Sequence, residues 1–477
     1  MGLMTPQQYK ESLNDGRVVY YKGERVENVT THPDLGRCAD LMALDYEMAE
    51  DPRYRDIAVM TDPDTGTPIS RYYHKPANSE DLLKAYELIV KATELGDGYI
   101  PLAHDIGADA LNAISITTHN MGEAGQAYHQ RIEAYRQHLK DTDIATCAGV
   151  TDVKGNRMLR PSDPKQSHPD FYVRKVRETK EGIIVRGAKV HITGAAYCND
   201  IFVIPCRQMT ENDADYAVAF SIPANTPGIK QICRPFTAQI SDLEFPNTRP
   251  VRVHTDSLIV FDDVLVPWDR VFLNGEWQHA ATMVYNFALM HRRTGCAYRV
   301  PMSEQFLGLG VAIAEYNGIS KAPHVKEKIT ELVLYLETLR SLSKAACYDF
   351  VMHGEIAVPN PVSTNIAKYH FATKYHDVVR IIQDLAGGLL VTAPTYKDFT
   401  HPDLHDDIEK YLGGNGAIST EKRLRMFDLI RRLTSDDLET IALHGEGSPF
   451  GQRMTVLMEA RHIIKKCKKI VEELAEV

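Results

Sequence analysis

Two segments of the chain place ionisable side chains where acid–base chemistry could occur. His291 follows the apolar run 284–290, which would shield its imidazole and favour the neutral form. A neutral imidazole can remove a proton near pH 7, so His291 is a candidate general base. Glu446 lies in the tight loop 444–449, where its carboxylate is a second candidate acid or base. A packed core histidine and a structural loop carboxylate are the alternative interpretations.

Two further segments combine small residues with polar groups that could contact a ligand. Thr193 and Gly194 follow a β-rich run, so a hydroxyl could donate to a ring nitrogen where glycine permits close approach. A plain turn is the alternative interpretation of this segment. The second segment, 383–388, could present backbone N–H groups, and a helix C-cap is its alternative interpretation. Its candidate ligand-binding residues are Gln383, Asp384, Gly387 and Gly388. No phosphate-binding loop, no GxGxxG after a strand and no HExxH is present.

Bulk composition limits the classes of partner. The 477 residues carry 54 Lys and Arg against 64 Asp and Glu, a net charge of −10, which disfavours nucleic acid. No apolar run approaches the roughly 20 residues that cross a bilayer, and the polar N-terminus lacks a signal peptide's apolar core. Eight scattered cysteines without a CxxC pair indicate free thiols. We therefore expect a cytoplasmic protein without a membrane anchor.

The chain divides by pattern into three regions, which predict an α+β protein. Residues 1–144 form a mainly helical domain, with cap chemistry at Asn78 and a stop at Gly96. Residues 145–276 hold short β-rich runs between turn residues, which predict a small antiparallel barrel or sandwich. Residues 277–477 return to helical periodicity and predict a C-terminal bundle, with an apolar stripe over 329–339.

Several spaced motifs, taken in order, carry a family resemblance over nearly the whole chain. They are DGRVVY at 15–20, VTTHP at 29–33, TDVKGNR at 151–157, GIIVRGAK at 182–189 and HGEGSP at 444–449. With the turns after Thr193 and Gln383, they resemble the 4-hydroxybutyryl-CoA dehydratases and the related 4-hydroxyphenylacetate 3-hydroxylases. The resemblance implies an acyl-CoA-dehydrogenase-like fold of three domains, with a small β-barrel domain in the middle, and a homotetramer.

The same resemblance implies roles for the candidate residues. FAD would lie between the β domain and the helical domains, with a neighbouring subunit contributing. Thr193 and Gly194 would face the flavin, and the 383–388 turn would line its groove. His291 and Glu446 would face a small-molecule substrate that Arg292 and Tyr298 help to bind.

The sequence departs from the dehydratases at their iron–sulfur cluster. The resemblance places the two cysteines of a CxxxC at Pro101 and Asp105, and a third cysteine at Tyr298. No cysteine lies between Cys38 and Cys147, and Cys296 stands two residues before the third position. A cubane needs four converging ligands, so we expect no cluster and no metal site.

The sequence also lacks the phenol-binding side chains of the hydroxylases. The places of their Arg, Tyr and His are Ile106, Ala110 and Cys147 in this chain. We expect a cluster-free FAD enzyme that deprotonates a carbon of a small carboxylic acid or acyl-CoA thioester, leading to dehydrogenation, isomerisation or elimination. One alternative is a phenol monooxygenase supplied with reduced FAD by a separate reductase. The other is a flavin-binding relative that has lost catalysis.

Overall fold

A computed structural model describes residues 2–235, 245–246, 254–435 and 442–476. Contacts divide the chain into two compact units. The first contains Met1–Pro235, Arg252–Thr294 and Val351–Val358, and the second contains Phe236–Val251, Gly295–Phe350 and Pro359–Val477. The long helix α8 (Ala280–Tyr316) therefore supplies residues to both units. The three-domain division at 144 and 276 stays a prediction.

Helices dominate the first part of the first unit. They are α1 (Pro6–Ser12), α2 (Gly36–Met42), α3 (Leu44–Glu50), α4 (Arg55–Ala58), α5 (Ser79–Leu95), α6 (Asp105–Asn120) and α7 (Gln126–Thr142). Asn78 caps α5 by accepting from the backbone N–H of Asp81 at 3.0 Å, and Gly96 ends the helix. The cap and stop predicted from the sequence are thus confirmed. The helix α6 is almost wholly buried, so its polar residues lie in the interior.

Two open sheets hold most of the strands. The first has the order β2-β1-β10-β11-β7-β6, from Glu24–Val26, Val19–Tyr21, Ile229–Cys233, Asp256–Pro267, Gly182–Thr193 and Arg174–Glu178. The second has the order β12-β9-β8-β5, from Val271–Asn274, Val218–Pro223, Asp200–Val203 and Thr146–Gly149. Two hairpins, β3 (Val59–Thr61) with β4 (Pro68–Ser70) and β13 (Val351–His353) with β14 (Ile356–Val358), complete the described strands.

The described strands do not form a closed middle barrel, which was one of the two arrangements, barrel or sandwich, expected from the sequence. The six-stranded sheet takes its edge from β1 and β2, which come from the N-terminal region, and β1 pairs with β10 in parallel. A buried lysine ties the two sheets together. Lys189 on β7 donates from Nζ to the carbonyls of Val150 and Ile204, each at 2.9 Å, and pairs with Asp152 at 2.9 Å.

The second unit is a helical bundle with short connecting helices. Beyond its part of α8 it contains α9 (Pro323–Tyr348), α10 (Pro361–Ala386), α11 (Leu389–Thr392), α12 (Tyr396–Thr400), α13 (His405–Leu412), α14 (Thr420–Thr434), α15 (Pro449–Glu459) and α16 (Arg461–Leu474). The apolar stripe predicted on α9 is buried at Leu332, Leu336 and Leu339, whereas Val333 is exposed. Among the described helices, none is both long and apolar enough to cross a membrane.

Candidate active site

The first unit pairs His291 with a buried carboxylate. His291 Nδ1 lies 3.2 Å from Oδ2 of Asp109, which projects from α6 and is 1% exposed. The Phe287 ring stacks on the imidazole with centroids 4.9 Å apart, and Arg293 Nη2 lies 3.5 Å from the other Asp109 oxygen. A carboxylate accepts hydrogen bonds, so this contact places the imidazole proton on Nδ1. Nε2 is then the nitrogen that can accept a proton.

Asp109 is a functional candidate that the sequence reasoning missed. It lies 182 residues from His291, so no local pattern links them. A signal was available in α6, where Asp105, Asp109 and Asn112 interrupt an otherwise apolar face at spacings of four and three residues. Arg292, predicted to bind substrate, is buried on α8 beside the histidine.

The second unit holds Glu446 inside a cluster of cations and aromatic rings. Arg299 Nη1 lies 2.6 Å from Glu446 Oε2, Lys368 Nζ lies 3.7 Å from the same oxygen, and the Tyr298 hydroxyl donates to Oε1. Arg299 also sits 4.5 Å from the centroids of Tyr298 and Phe371. Burial opposes the charge of Arg299, but Glu446 outweighs it and raises the pKa of the guanidinium. Two cations and a tyrosine hydroxyl therefore fix the Glu446 carboxylate in this unit.

The backbone at Glu446 supports a specialised role for its loop. Its φ of 55° lies in the left-handed region that ordinary residues avoid. A Cβ added to Gly295 on α8 would meet the Glu446 side chain at 2.9 Å, so glycine is needed for this approach. Tyr298 was predicted to contact substrate, and here its hydroxyl is occupied by the carboxylate. Arg299 and Lys368 are partners that the sequence reasoning missed.

The proposed flavin residues are divided between the units. In the first, the Thr193 hydroxyl at the end of β7 donates to Asp256 Oδ1 at 2.5 Å. Gly194 follows with φ 78°, and a Cβ there would make only ordinary contacts, the nearest at 3.6 Å to Met42. The hydroxyl proton is thus used within the protein, and the oxygen lone pairs are left to accept from a ligand. As an acceptor, the Thr193 oxygen suits a ring N–H of the ligand better than the bare ring nitrogen expected from the sequence.

In the second unit, the 383–388 turn ends α10. Gln383 Nε2 donates to the Thr434 carbonyl at 3.1 Å, and Asp384 pairs with Lys328. Gly387, with φ 75°, and Gly388 are exposed, and a Cβ on either would meet no atom within 4 Å. Open space beside two exposed glycines is compatible with an extended ligand such as FAD.

The positions that replace the dehydratase cluster ligands carry no sulfur. Asp105 begins α6 and is 2% exposed. Next to it, His104 Nδ1 lies 3.3 Å from Asp45 Oδ2, and its Nε2 lies 3.2 Å from Asp143 Oδ1. Across the described part of the chain, no group of three or more His, Cys, Asp or Glu is arranged to hold a metal ion. These residues do not fit an iron–sulfur cluster.

The positions that correspond to the phenol-binding residues of the hydroxylases hold apolar or thiol side chains. Ala110 is fully buried on α6, and Cys147 is buried on β5 with its Sγ 3.3 Å from Cys198 Sγ. The Cys198 thiol, together with burial, raises the pKa of Cys147 well above its usual value. A thiol that stays protonated is a poor substitute for a histidine that holds a phenol.

The chain matches known family models and is similar in sequence to two kinds of enzyme. Models of the N-terminal and C-terminal domains of 4-hydroxyphenylacetate 3-hydroxylase match residues 5–273 and 280–476. The 4-hydroxybutyryl-CoA dehydratase/vinylacetyl-CoA-Delta-isomerase of Clostridium aminobutyricum is 31% identical over 97% of this chain and 98% of its own. The 4-hydroxyphenylacetate 3-monooxygenase oxygenase component of Thermus thermophilus is 31% identical over 87% of this chain and 85% of its own.

Solved structures of both kinds of enzyme, dehydratase and oxygenase component, match the fold of this chain. An oxygen-tolerant archaeal 4-hydroxybutyryl-CoA dehydratase from N. maritimus matches with a TM-score of 0.91 and 29% identity, covering 99% of this chain and 95% of its own. A 4-hydroxyphenylacetate 3-monooxygenase oxygenase component, complexed with FAD and 4-hydroxyphenylacetate, matches with a TM-score of 0.88 and 26% identity over 99% of each chain. The acyl-CoA-dehydrogenase-like fold implied by the sequence is confirmed. The chain therefore belongs to the 4-hydroxyphenylacetate 3-hydroxylase family.

Proposed function

We propose that the chain is an FAD-dependent enzyme in which His291 removes a proton from a carbon of a small carboxylic acid or acyl-CoA thioester. The observation that carries this proposal is the buried Asp109–His291 pair, which fixes the imidazole tautomer and leaves Nε2 to accept the proton. Arg292 and Arg293 add positive charge beside it and would stabilise a developing enolate. Bound FAD would supply an acceptor for a hydride or electrons.

FAD as the cofactor is supported by the relatives and by the chain's own residues. The matching oxygenase structures include complexes with FAD. Thr193 and Gly194 in one unit, and Gln383, Gly387 and Gly388 in the other, are the residues we assign to it. We propose that Glu446 serves as a second acid or base, with Tyr298 as a substrate contact.

A two-component monooxygenase is the second candidate, because several relatives are oxygenase components of that type. In that reaction a separate reductase would supply reduced FAD, and His291 would take the proton of a phenol rather than of a carbon. The missing Arg, Tyr and His equivalents at Ile106, Ala110 and Cys147 weigh against the usual phenol contacts. A non-catalytic flavin-binding relative is the third reading, and the oriented Asp109–His291 pair weighs against it.

Anaerobic purification followed by cofactor analysis and turnover assays tests the proposal. We expect a yellow protein with about one FAD per chain and with iron and sulfide near zero, because the cysteine ligands are absent. Turnover of vinylacetyl-CoA or 4-hydroxybutyryl-CoA should then proceed without oxygen. About four irons per chain would contradict the cluster-free assignment. Product formation from 4-hydroxyphenylacetate that requires oxygen and reduced FAD would favour the second candidate.

We also propose that the chain assembles with copies of itself, as a homotetramer. The last helix, α16, leaves an apolar stripe uncovered in the described chain, and a seven-residue repeat relates several of its members. The stripe contains Ile463, Ile464, Ile470, Val471 and Leu474. Such a stripe can pack against the identical stripe on a second copy of the chain, which favours a self-association interface.

Sedimentation of the flavin-loaded protein checks the assembly. Wild type should sediment as a tetramer, and Ile470→Glu should shift it toward smaller species because a charge enters the stripe. Lys465→Gln is the matched control, since it makes the same charge change on the opposite face of α16. A flavin-loaded wild-type monomer would refute the proposal, and equal effects of the two variants would remove the assignment to the stripe.

A further inference from the structure

Asp105 is a buried carboxyl group, and one of its oxygens contacts no hydrogen-bonding group among the residues that the structure describes. It is 2% exposed, and its Oδ1 accepts from the backbone N–H of Ile106 at 2.8 Å. Its Oδ2 is fully buried and has no hydrogen-bond partner among the described residues. An unsatisfied buried carboxyl oxygen destabilises the protein, and more so when it is charged. Such an atom indicates a partner that the described residues do not supply.

The charges around Asp105 disfavour its ionised form. Burial comes first, and then Asp45 on α3 and Asp109 one helical turn further along α6; together they raise the pKa of Asp105 well above its usual value. The Ile106 N–H and His104 oppose the shift without reversing it. A protonated carboxyl group has an O–H to donate, and the bond from Ile106 occupies only one of its oxygens.

Asp105 and the His291 pair belong to the same unit and to neighbouring turns of α6. Asp105 precedes Asp109 by four residues, so both side chains project from one face of the helix. Asp109 in turn contacts His291 at 3.2 Å and Arg293 at 3.5 Å. Asp105 thus lies one turn of α6 from the carboxylate that contacts both His291 and Arg293.

We propose that Asp105 is a catalytic carboxylic acid that hydrogen-bonds to a substrate oxygen and protonates it as that oxygen leaves. The inference rests on the proposed function and extends it to a substrate class, acyl thioesters or acids that carry a hydroxyl group. Asp105 would supply the acid and His291 the base of an elimination of water.

The proposed step balances without an oxidant or reductant. His291 Nε2 takes a proton from the carbon beside the carbonyl group, and the electron pair of that C–H bond becomes the new C=C bond. The C–O bond on the adjacent carbon breaks, its electron pair stays on oxygen, and that oxygen takes the Asp105 proton to leave as water. The proton on His291 then returns to the Asp105 carboxylate.

Infrared difference spectroscopy tests the protonated acid without any turnover. The wild-type minus Asp105→Asn spectrum at pH 7 should contain the C=O band of a protonated carboxyl group. Asp62→Asn is the matched control. Asp62 is fully buried, but hydrogen bonds from Lys140 and Thr65 outweigh burial and lower its pKa, so its difference spectrum should lack that band. Absence of the band for Asp105 overturns the proposal.

Stability against pH gives a second readout of the same group. A carboxyl group whose folded pKa is raised stabilises the protein fully below its unfolded pKa of about 3.9, and this contribution is lost as the pH rises. The melting temperature of wild type relative to Asp105→Asn should therefore fall as the pH increases above about 4. A difference that is constant with pH overturns the proposal, because it means that Asp105 titrates as it does in the unfolded chain.

Two probe substrates separate the acid from the base. Dehydration of 3-hydroxybutyryl-CoA, whose hydroxyl is on the carbon next to the acidic C–H, needs the departing oxygen to be protonated, whereas double-bond migration in vinylacetyl-CoA does not. Asp105→Asn should lower the kcat for the first by about 10²-fold or more and leave the second within a fewfold. Equal losses for both probes overturn the role as acid. If wild type converts neither probe, the proposed function fails, and the infrared band alone decides the state of Asp105.

Discussion

His291→Asn should lower the turnover rate by about 10² to 10⁴-fold, the usual contribution of a positioned general base. Asparagine keeps a polar side chain of similar reach but cannot accept a proton at neutral pH. The Asp109 carboxylate orients the imidazole through Nδ1, so the loss should come from Nε2. Steady-state rates for wild type and variant on the same substrate, with flavin saturated, measure the effect.

Flavin binding and thermal stability serve as controls for His291→Asn. The residues assigned to the flavin lie elsewhere in the sequence, at Thr193 and near Gln383, so the absorbance of the bound flavin should be unchanged. Asp109→Asn should reduce the rate less severely, because the base remains but loses the group that selects its tautomer. A full loss of flavin in His291→Asn would show that the histidine acts on cofactor binding instead.

Glu446→Gln is the paired comparison, since its carboxylate could fill the same role. In the second unit Glu446 contacts Arg299 at 2.6 Å and lies 3.7 Å from Lys368, which suits a fixed negative charge more than a mobile proton. We expect the Gln variant to lose stability as well as rate, because Arg299 loses its charged partner. Near-full activity in His291→Asn together with an inactive, folded Glu446→Gln would reverse the assignment of the base.

Local signals in the sequence predicted the elements, but not how strands pair over long distances. Asn78 and Gly96 mark the ends of α5 correctly, because caps depend on neighbouring residues only. The described strands form no closed barrel, because sheet closure depends on which strands meet, and β1 joins β10 from more than 200 residues away. At Asp262–Asp263 the strand β11 continues through a bulge, and Asp263 takes a φ of 50°.

In the candidate site, too, the sequence indicated which residues could act but not which residues contact them. His291 and Glu446 could be selected from the sequence because glycines, apolar runs and the family motifs surround them. Their partners could not, because Asp109 and Arg299 reach them only through packing between distant helices and loops. Thr193 was expected to donate to a flavin nitrogen, but its proton goes to Asp256, a contact that exists only once β7 pairs with β11.

His104 anchors a second buried charge network, whose effect on stability should be large. Its two ring nitrogens face Asp45 and Asp143 at 3.3 and 3.2 Å, inside a cage that includes the rings of Tyr72 and Tyr73. Burial works against a charged imidazole, but the two carboxylates outweigh it and raise the pKa of His104 to about 10. The imidazolium is therefore the form that satisfies both carboxylates at neutral pH.

His104→Gln should lower the free energy of unfolding by about 3–5 kcal/mol at pH 7, because it leaves two buried carboxylates without their cation. The raised pKa sets the pH dependence: the contribution of His104 is complete below its unfolded pKa of about 6.5 and is lost as the pH rises through about 10. Urea unfolding of both proteins at pH 6, 8 and 10 measures this difference. His324→Gln, at an exposed position on α9, should change stability by less than about 0.5 kcal/mol. A wild-type advantage that is undiminished at pH 10 would mean that packing of the ring, rather than its charge, stabilises this part of the first unit.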